Sequence, residues 1–368
     1  MSKIEDLILE YCPKGVMFRQ LAEVTTLVRG EHMTKELAVA GDYPIVSASR
    51  EALGLHNSYN NAGNAVTVSS HGAYAGFVAY WPSRIWLGNN VFLFSAGEAL
   101  NARFLYFYLK SKQAIVSGLA KSGGVPYINA SQVQRLRIPL PPLEVQQEIV
   151  RILNTFTELE AELEAELEAR KKQYEHYRNE LLSTKVPSDI EFKTLGELLG
   201  PIPRGKRLTK SNLAADGSIP VFHGGLNPIG YHNESNTPGE TVMVINTGAS
   251  SGKVGWSSNS FWCSDGCFAL PHSKEISSRF LYHYASLKEQ FFTDKVRKAG
   301  IPTLASEPIL SLLIPVLPLP KQLEIVGILD SFVELTSNLS MGIPAEIEAR
   351  RKQYEYYRDR LLTFKELA

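Results

Sequence analysis

Between Leu143 and Leu182 the apolar residues fall at helical spacing. Ile152, Phe156, Leu159, Leu163, Leu167, Tyr174, Tyr177 and Leu181 follow one another at steps of three, four or seven. Such steps line them up as one stripe, the pattern of a coiled-coil seam. A matching stripe returns near the C-terminus as Ile328, Phe332, Leu335, Leu339, Ile347, Tyr354, Tyr357 and Leu361. Gly342 and Pro344 interrupt this second copy. Neither residue suits a helix interior, so a break is expected there, with the helix restarting near Pro344. Elsewhere the pattern changes. Runs such as NAVTVSS and ETVMVIN, punctuated by Gly, Asn and Pro, predict strands and turns. RFLYFYLKSKQAIVSGL and RFLYHYASLKEQFF predict helices with an aromatic face.

The two stripes belong to a chain written twice. IPLPPLEVQQEIVRILNTFTEL (Ile138–Leu159) aligns with IPVLPLPKQLEIVGILDSFVEL (Ile314–Leu335) at an offset of 176. EARKKQYEHYRNELL (Glu168–Leu182) aligns with EARRKQYEYYRDRLL (Glu348–Leu362) at an offset of 180. Upstream, GLHN matches GYHN, Val66, Val68, Gly72, Gly76 and Val78 match Val242, Val244, Gly248, Gly252 and Val254, and RFLY occurs in both halves. Each half is therefore a globular part of roughly 125 residues followed by a helical segment, a tandem duplication. The expected fold class is mixed α/β (α+β): two pseudo-symmetric globular domains separated by two long antiparallel coiled-coil helices. The expected boundaries are 1–142, 143–185, 186–318 and 319–368. An intermolecular zipper is the competing reading of the stripe.

Composition narrows the class. Three cysteines, Cys12, Cys263 and Cys267, cannot form an even disulfide framework, so a reducing cytoplasm is expected. No segment approaches the ~18 uninterrupted apolar residues of a membrane span. Basic and acidic side chains balance at 38 each, but not evenly along the chain. Residues 1–138 hold 13 basic and 9 acidic groups, and residues 190–314 hold 12 and 10, whereas 139–189 hold 6 and 11. The mildly basic globular parts permit nucleic-acid binding without demonstrating it.

Catalytic signals are sparse. GASSGKVG (Gly248–Gly255) is one residue short of a phosphate-binding loop and has Val254 where Ser or Thr would bind magnesium. Its counterpart, GAYAGFVA, has Phe77 in place of Lys253, so a turn beside a strand is expected. Cys263 and Cys267 answer to Leu87 and Val91, which makes them buried apolar positions rather than metal ligands. His56 and His232 are equivalent and read as turn residues. No metal site or catalytic constellation is expected. The polar loops remain: Ser, Thr, Asn, His, Lys and Arg side chains can hydrogen-bond base edges or phosphates in a major groove. The candidate DNA-binding residues of the first half are Ser47, Ser49, Arg50, Ser70, His71, Tyr74 and Lys121. Those of the second are Arg204, Lys206, His223, Asn246, Thr247, Ser250, Ser251, Lys253 and Lys298.

The duplicated PLPPLxxQxxIVxILxxF, followed each time by an EARKKQYEYYRxxLL block, resembles the specificity subunit of Type I restriction–modification systems. The LEAE repeats after Leu159 resemble the subgroup with tetrapeptide repeats in the central helix. The resemblance covers essentially the whole chain. It implies two target-recognition domains, each reading one half of a bipartite, asymmetric double-stranded DNA target, and no catalytic activity in this chain. It implies two modification subunits docked along the helices, carrying S-adenosylmethionine and methylating adenine N6. Two restriction subunits using ATP and magnesium complete the expected complex. The segment before Cys12 is expected to extend the C-terminal helical region. The rival classes are a stand-alone DNA-modifying enzyme and a coiled-coil scaffold with no DNA role. The different loops of the two halves, SSHGAY against INTGAS, favour a non-palindromic target. Within this reading the LEAE repeat is a ruler for the DNA spacer.

Overall fold

The computed structural model describes residues 2–32, 41–121, 124–184, 190–337 and 341–367. The chain divides into two compact units, Met1–Leu163 with Ile347–Ala368, and Glu164–Glu346. The first unit opens with α1 (Ser2–Tyr11), β1 (Met17–Gln20), α2 (Leu21–Val24), β2 (Thr25–Arg29), β3 (Tyr43–Val46) and β4 (Leu55–His56). It continues through β5 (Ala65–Ser69), β6 (Val78–Trp81), β7 (Trp86–Leu87) and β8 (Val91–Ala96) to the helices α3 (Ala102–Ser111), α4 (Gln113–Gly118) and α5 (Ala130–Gln134). Strand β9 (Arg137–Leu140) then leads into α6 (Leu143–Asn179), 37 residues long and followed by a wider π-type turn over Glu180–Thr184.

The second unit repeats the plan: β10 (Phe192–Thr194), α7 (Leu195–Leu199), β11 (Ile219–Phe222), β12 (Gly230–His232), β13 (Thr241–Ile245) and β14 (Val254–Ser257). β15 (Trp262–Cys263), β16 (Cys267–Ala269), α8 (Ser278–Leu287), α9 (Glu289–Asp294), α10 (Ser306–Leu310) and β17 (Leu313–Pro315) follow. The chain closes with α11 (Leu319–Ser337) and α12 (Ile343–Leu361). The expected restart near Pro344 is therefore seen at Ile343.

The sheets correspond pair by pair. The first unit has an antiparallel sheet β2-β8-β5-β6, a sheet β4-β3-β7 with a parallel β3–β7 pair, and a β1–β9 ribbon. The second has β14-β13-β16, β12-β11-β15 with β11–β15 parallel, and a β10–β17 ribbon. The counterpart of β2 is reduced to one bridge, Arg204 to Phe268. Strands β5 and β13 are buried at every position, Thr67, Ser69 and Thr241 included, because each runs between two neighbours beneath an aromatic helix. Those helices contribute Phe104, Leu105 and Phe107 to one core and Phe280, Leu281 and Tyr284 to the other.

Each aromatic helix is two helices, not the single one its sequence predicts. Lys112 and Lys288 leave helical geometry, with φ/ψ of −101/19 and −94/14. The turn sets Gln113 and Glu289 back toward β6 and β14, where their side-chain oxygens accept the N–H of Val78 (3.0 Å) and Val254 (3.0 Å). It also buries Val116 and Phe292.

The seam is symmetric in its pairing. In the first unit Phe156 of α6 stacks on Tyr357 of α12, centroids 5.4 Å apart and planes 25° apart. In the second unit Phe332 of α11 stacks on Tyr177 of α6 at 5.5 Å and 27°. Such aromatic pairs contribute about 0.5–1.5 kcal/mol beyond the area they bury. Tyr354 and Tyr174 flank these stacks at 6.4 Å each. Together with the Glu160–Arg351 ion pair at 2.5 Å, the Phe156–Tyr357 contact makes α6 and α12 antiparallel within the first unit. Ile347 and Leu361 are buried, and Leu159, Leu163, Leu167 and Leu181 are half-buried. Leu335, in the last described turn of α11, is instead exposed, and Leu339 lies outside the described residues.

The two ends of the chain meet in the first unit. Ile4 shares a core with Leu361 and Leu362, Arg360 pairs with Glu5 at 2.9 Å, and Val16 N–H donates to the Lys365 carbonyl. The segment before Cys12 therefore packs on the C-terminal helical region, as expected.

Candidate nucleic-acid interface

In the first unit, three loop segments meet beside β5. Gly72 N–H donates to the Pro126 carbonyl (2.9 Å), Ile128 N–H to Ser70 (2.8 Å) and Lys121 N–H to Tyr127 (2.9 Å). His71 and Tyr127 lie ring over ring, 6.3 Å apart with planes 23° from parallel. The Ser70 hydroxyl sits 2.7 Å from His71 Nδ1. The guanidinium of Arg50 covers the Tyr74 ring at 5.3 Å. His71, Tyr74, Lys121 and Arg50 are all exposed. Ser47 and Ser49 are half-buried in a tight turn, with Ser49 N–H donating to the Ser47 carbonyl.

The second unit builds the same frame. Gly248 N–H donates to Pro302, Leu304 N–H to Asn246 and Arg297 N–H to Thr303. The loop carrying His223 joins it at the Gly266 carbonyl, which accepts the N–H of both Gly224 (3.3 Å) and Asn246 (3.1 Å), while His223 Nδ1 lies 3.3 Å from Asp265. Thr247 and Ser250 are half-buried, and Lys298 is exposed at the tip of the Arg297–Thr303 hairpin. Arg204 and Lys206 run along β15 and β16: Lys206 N–H donates to Cys263, and its ammonium lies 5.9 Å from the Trp262 ring centre. Lys253 is exposed but held by Glu289 at 2.6 Å.

Three candidates turn inward. Ser70, Asn246 and Ser251 are buried at 1%, 6% and 6% exposure. Ser251 Oγ donates to the Pro302 carbonyl at 3.0 Å, and Asn246 Oδ1 accepts from Thr247 at 3.1 Å. A loop that folds back on a sheet must satisfy its own buried polar groups: Ser251 does so for the Pro302 carbonyl, while Ser70 and Asn246 bond the neighbouring side chains of His71 and Thr247. The three hold the frame rather than present a surface.

Two glycines explain the shared spacing. Gly76 and Gly252 have φ of +86° and +90°, and a Cβ there would lie 2.6 Å from Ser117 Cα and 2.9 Å from Thr293 Cα. The loop can close on α4 and α9 only without a side chain at these positions. GASSGKVG is thus a turn joining β13 to β14, as expected. His56 and His232 also act in turns: each Nδ1 accepts a backbone N–H two residues on, from Ser58 (3.1 Å) and Glu234 (3.0 Å). Cys263 and Cys267 are buried.

The side chains on the equivalent frames differ. His71, Tyr74, Lys121 and Tyr127 answer to Thr247, Ser250, Arg297 and Thr303, and Arg50 answers to Leu226. Tyr127 and Thr303 were not singled out by the sequence, whereas Arg297 lies in the VRKAG loop that also carries the candidate Lys298. Their signal was the repeated Val-Pro and Ile-Pro that precede Tyr127 and Thr303.

Two further repeated residues anchor each globular part to its helix. Gln146 and Gln322 are fully buried. The Gln146 amide donates to the carbonyls of Ala99 (2.9 Å) and Pro141 (2.8 Å) and accepts Asn101 N–H (2.8 Å). Gln322 repeats this with Glu275, Leu317 and Ser277. Arg103 lies over Tyr80 at 4.4 Å and bonds Asn154, while Arg279 lies over Trp256 at 4.8 Å and bonds Asp330. The repeated Gln of PLPPLxxQ and the Arg of RFLY were visible in the duplication; their burial and partners were not.

Comparison with known proteins agrees with this frame. The family model for the Type I restriction modification DNA specificity domain matches twice, over residues 13–169 and 187–349. A Haemophilus influenzae protein named as a type I restriction enzyme specificity subunit is 29% identical, over 95% of this chain and 96% of its own. An Escherichia coli type I restriction enzyme specificity subunit is 32% identical over 64% of this chain and 65% of its own. The crystal structure of the S subunit of the type I restriction–modification system of M. genitalium superposes with a TM-score of 0.72 at 22% identity, covering 94% of this chain and 96% of that one.

Proposed function

Because the chain belongs to the family of Type I restriction–modification DNA specificity subunits, we propose that it selects the DNA sequence on which a multisubunit methyltransferase and endonuclease acts. Each of its two recognition domains reads one half of a bipartite, asymmetric target from the major groove. The chain performs no chemistry itself. Two modification subunits dock along the helical segments, bring S-adenosylmethionine and methylate adenine N6; two restriction subunits bring ATP and magnesium. The assembly works in the cytoplasm.

One observation carries this reading: two equivalent loop frames, closed by the same glycines, present different side chains. His71, Tyr74 and Tyr127 on one, and Thr247, Ser250 and Thr303 on the other, offer different donors, acceptors and apolar surface to base edges. Different readers on a repeated frame recognise different half-sites. The modest basic excess of the globular parts suits a subunit whose partners complete the grip on DNA. Co-expression with the modification subunit, followed by genome-wide mapping of methylated adenines, tests the proposal. A bipartite, non-palindromic motif is expected. Methylation or cleavage of DNA by the purified chain alone would instead make it an enzyme in its own right.

A further inference from the structure

The first unit holds a cleft of about 730 Å³ between the Gly72–Tyr74 loop and the α3–α4 bend. Two cations face it, Arg50 and Lys110, and no acidic side chain is among its described lining residues. Arg50 lies over Tyr74, and the Lys110 ammonium lies 4.3 Å from the Phe77 ring centre and 3.4 Å from the Val78 carbonyl. Among the described residues neither cation has a carboxylate partner. Lys110 titrates below the ordinary lysine value, first because it is half-buried and then because Arg50 is near. Two like charges held together in a partly dry cleft favour the arrival of an anion.

The second unit lacks this arrangement at the equivalent positions. Leu226 replaces Arg50, Ser286 replaces Lys110, and Glu289 replaces the neutral Gln113. Its one cation there, Lys253, is neutralised by Glu289 at 2.6 Å. At this place in the frame the duplication thus carries a charge difference, with two cations lacking a carboxylate partner on one side and a closed ion pair on the other.

We propose that the Arg50–Lys110 cleft binds a backbone phosphate of the DNA duplex, and that the second recognition domain has no equivalent contact. This rests on the DNA-reading function proposed above. The cleft shares its Gly72–Tyr74 wall with the loop bearing His71, so a phosphate held there fixes the register of that loop on the duplex without reading a base. The volume exceeds that of a phosphate group, which leaves room for the adjoining sugar.

The test uses the full chain in complex with its modification subunit and a duplex carrying the mapped target. Binding is measured across 50–200 mM KCl for the unaltered chain, Arg50→Gln, Lys110→Gln, the charge-retaining Arg50→Lys, and Lys14→Gln as a control at an exposed site away from the cleft. Loss of one phosphate contact lowers the slope of log affinity against log salt by about 0.9, so the Gln variants lose roughly threefold less affinity than the unaltered chain over that range. Target and non-target duplexes weaken alike, the methylated motif stays the same, and Arg50→Lys and Lys14→Gln keep the full slope. A methylphosphonate scan adds a second readout. Neutralising one linkage weakens the unaltered complex but not the Arg50→Gln complex. Three results would overturn the cleft assignment while leaving the DNA-reading function intact. These are an unchanged slope, a changed motif (base reading instead), or a response to inorganic phosphate that depends on Arg50 while DNA binding does not. If the unaltered complex leaves no methylated motif at all, the function itself fails.

Discussion

Replacing Gln146 by Leu removes a polar side chain whose amide is fully buried and makes three hydrogen bonds. Leucine has similar bulk, so the change tests the hydrogen bonds more than the packing. The carbonyls of Ala99 and Pro141 lose their donor, and Asn101 N–H loses its acceptor. A net contribution of about 1 kcal/mol per bond gives a loss of about 3 kcal/mol, and more where the orphaned groups cannot reach water. Urea unfolding of the full chain reads this as a lower midpoint. Amide exchange places it: protection of the Asn101 N–H falls on the order of 100-fold, because that proton is the one released. Gln147→Leu, at the exposed neighbouring position, stays within about 0.5 kcal/mol of the unaltered chain. Gln322→Leu repeats the loss in the second unit, at Ser277 N–H. If Gln146→Leu and Gln147→Leu unfold at the same midpoint, and Asn101 exchanges no faster, the buried glutamine does not fasten the globular part to its helix.

This pair of glutamines also marks what the sequence could and could not reveal. Duplication was legible because identical residues recur at fixed offsets, and so were the helix break before Pro344, the turn histidines and the apolar burial of Cys263 and Cys267. Periodicity and side-chain type decide those features locally. Polar residues in loops were harder. Ser70 and His71 are adjacent and both polar, yet one is buried and the other exposed, because the 126–128 segment returns over Ser70, whose carbonyl accepts Ile128 N–H, a path set by tertiary structure and not by the local sequence. The kinks at Lys112 and Lys288 escaped for the same reason: helix propensity continues through both lysines, and the pull comes from the N–H groups of Val78 and Val254. Seam pairing was half legible. The aromatic positions were evident, but that Phe156 meets Tyr357 while Phe332 meets Tyr177 depends on which helices share a unit.

Further predictions follow from the same contacts. Gly76→Ala forces a Cβ to within 2.6 Å of Ser117 backbone and adds left-handed strain, so it unfolds far more readily than Gly72→Ala, which meets nothing within 4 Å and bears only the strain of about 1–2 kcal/mol; thermal midpoints order the two. His283 is buried against Asp330, and burial holds its imidazole below the ordinary value despite that carboxylate. The unfolded chain therefore protonates first: stability is full above the ordinary value of about 6.5 and is lost as pH falls from there toward the depressed folded value. His283→Phe with Asp330→Asn, which copies Phe107 and Asn154 of the first unit, flattens that loss in urea midpoints compared at pH 7.5 and 5.5. Deleting Leu163–Glu166, one LEAE unit, removes about 6 Å and roughly 40° of helix. Methylation mapping should then show the spacer shortened by about one to two base pairs of ~3.4 Å with both half-sites unchanged; altered half-sites with the old spacer would refute the ruler.

The most direct measurement combines methylation mapping with an exchange on one frame. His71 and Tyr74 are replaced by Thr and Ser, their counterparts in the second unit, and the altered chain is co-expressed with the modification subunit. The expected motif is bipartite, with one half-site changed or relaxed while the other half and the spacer persist. A motif unchanged in both halves, or altered in both at once, would contradict the assignment of one half-site to each recognition frame.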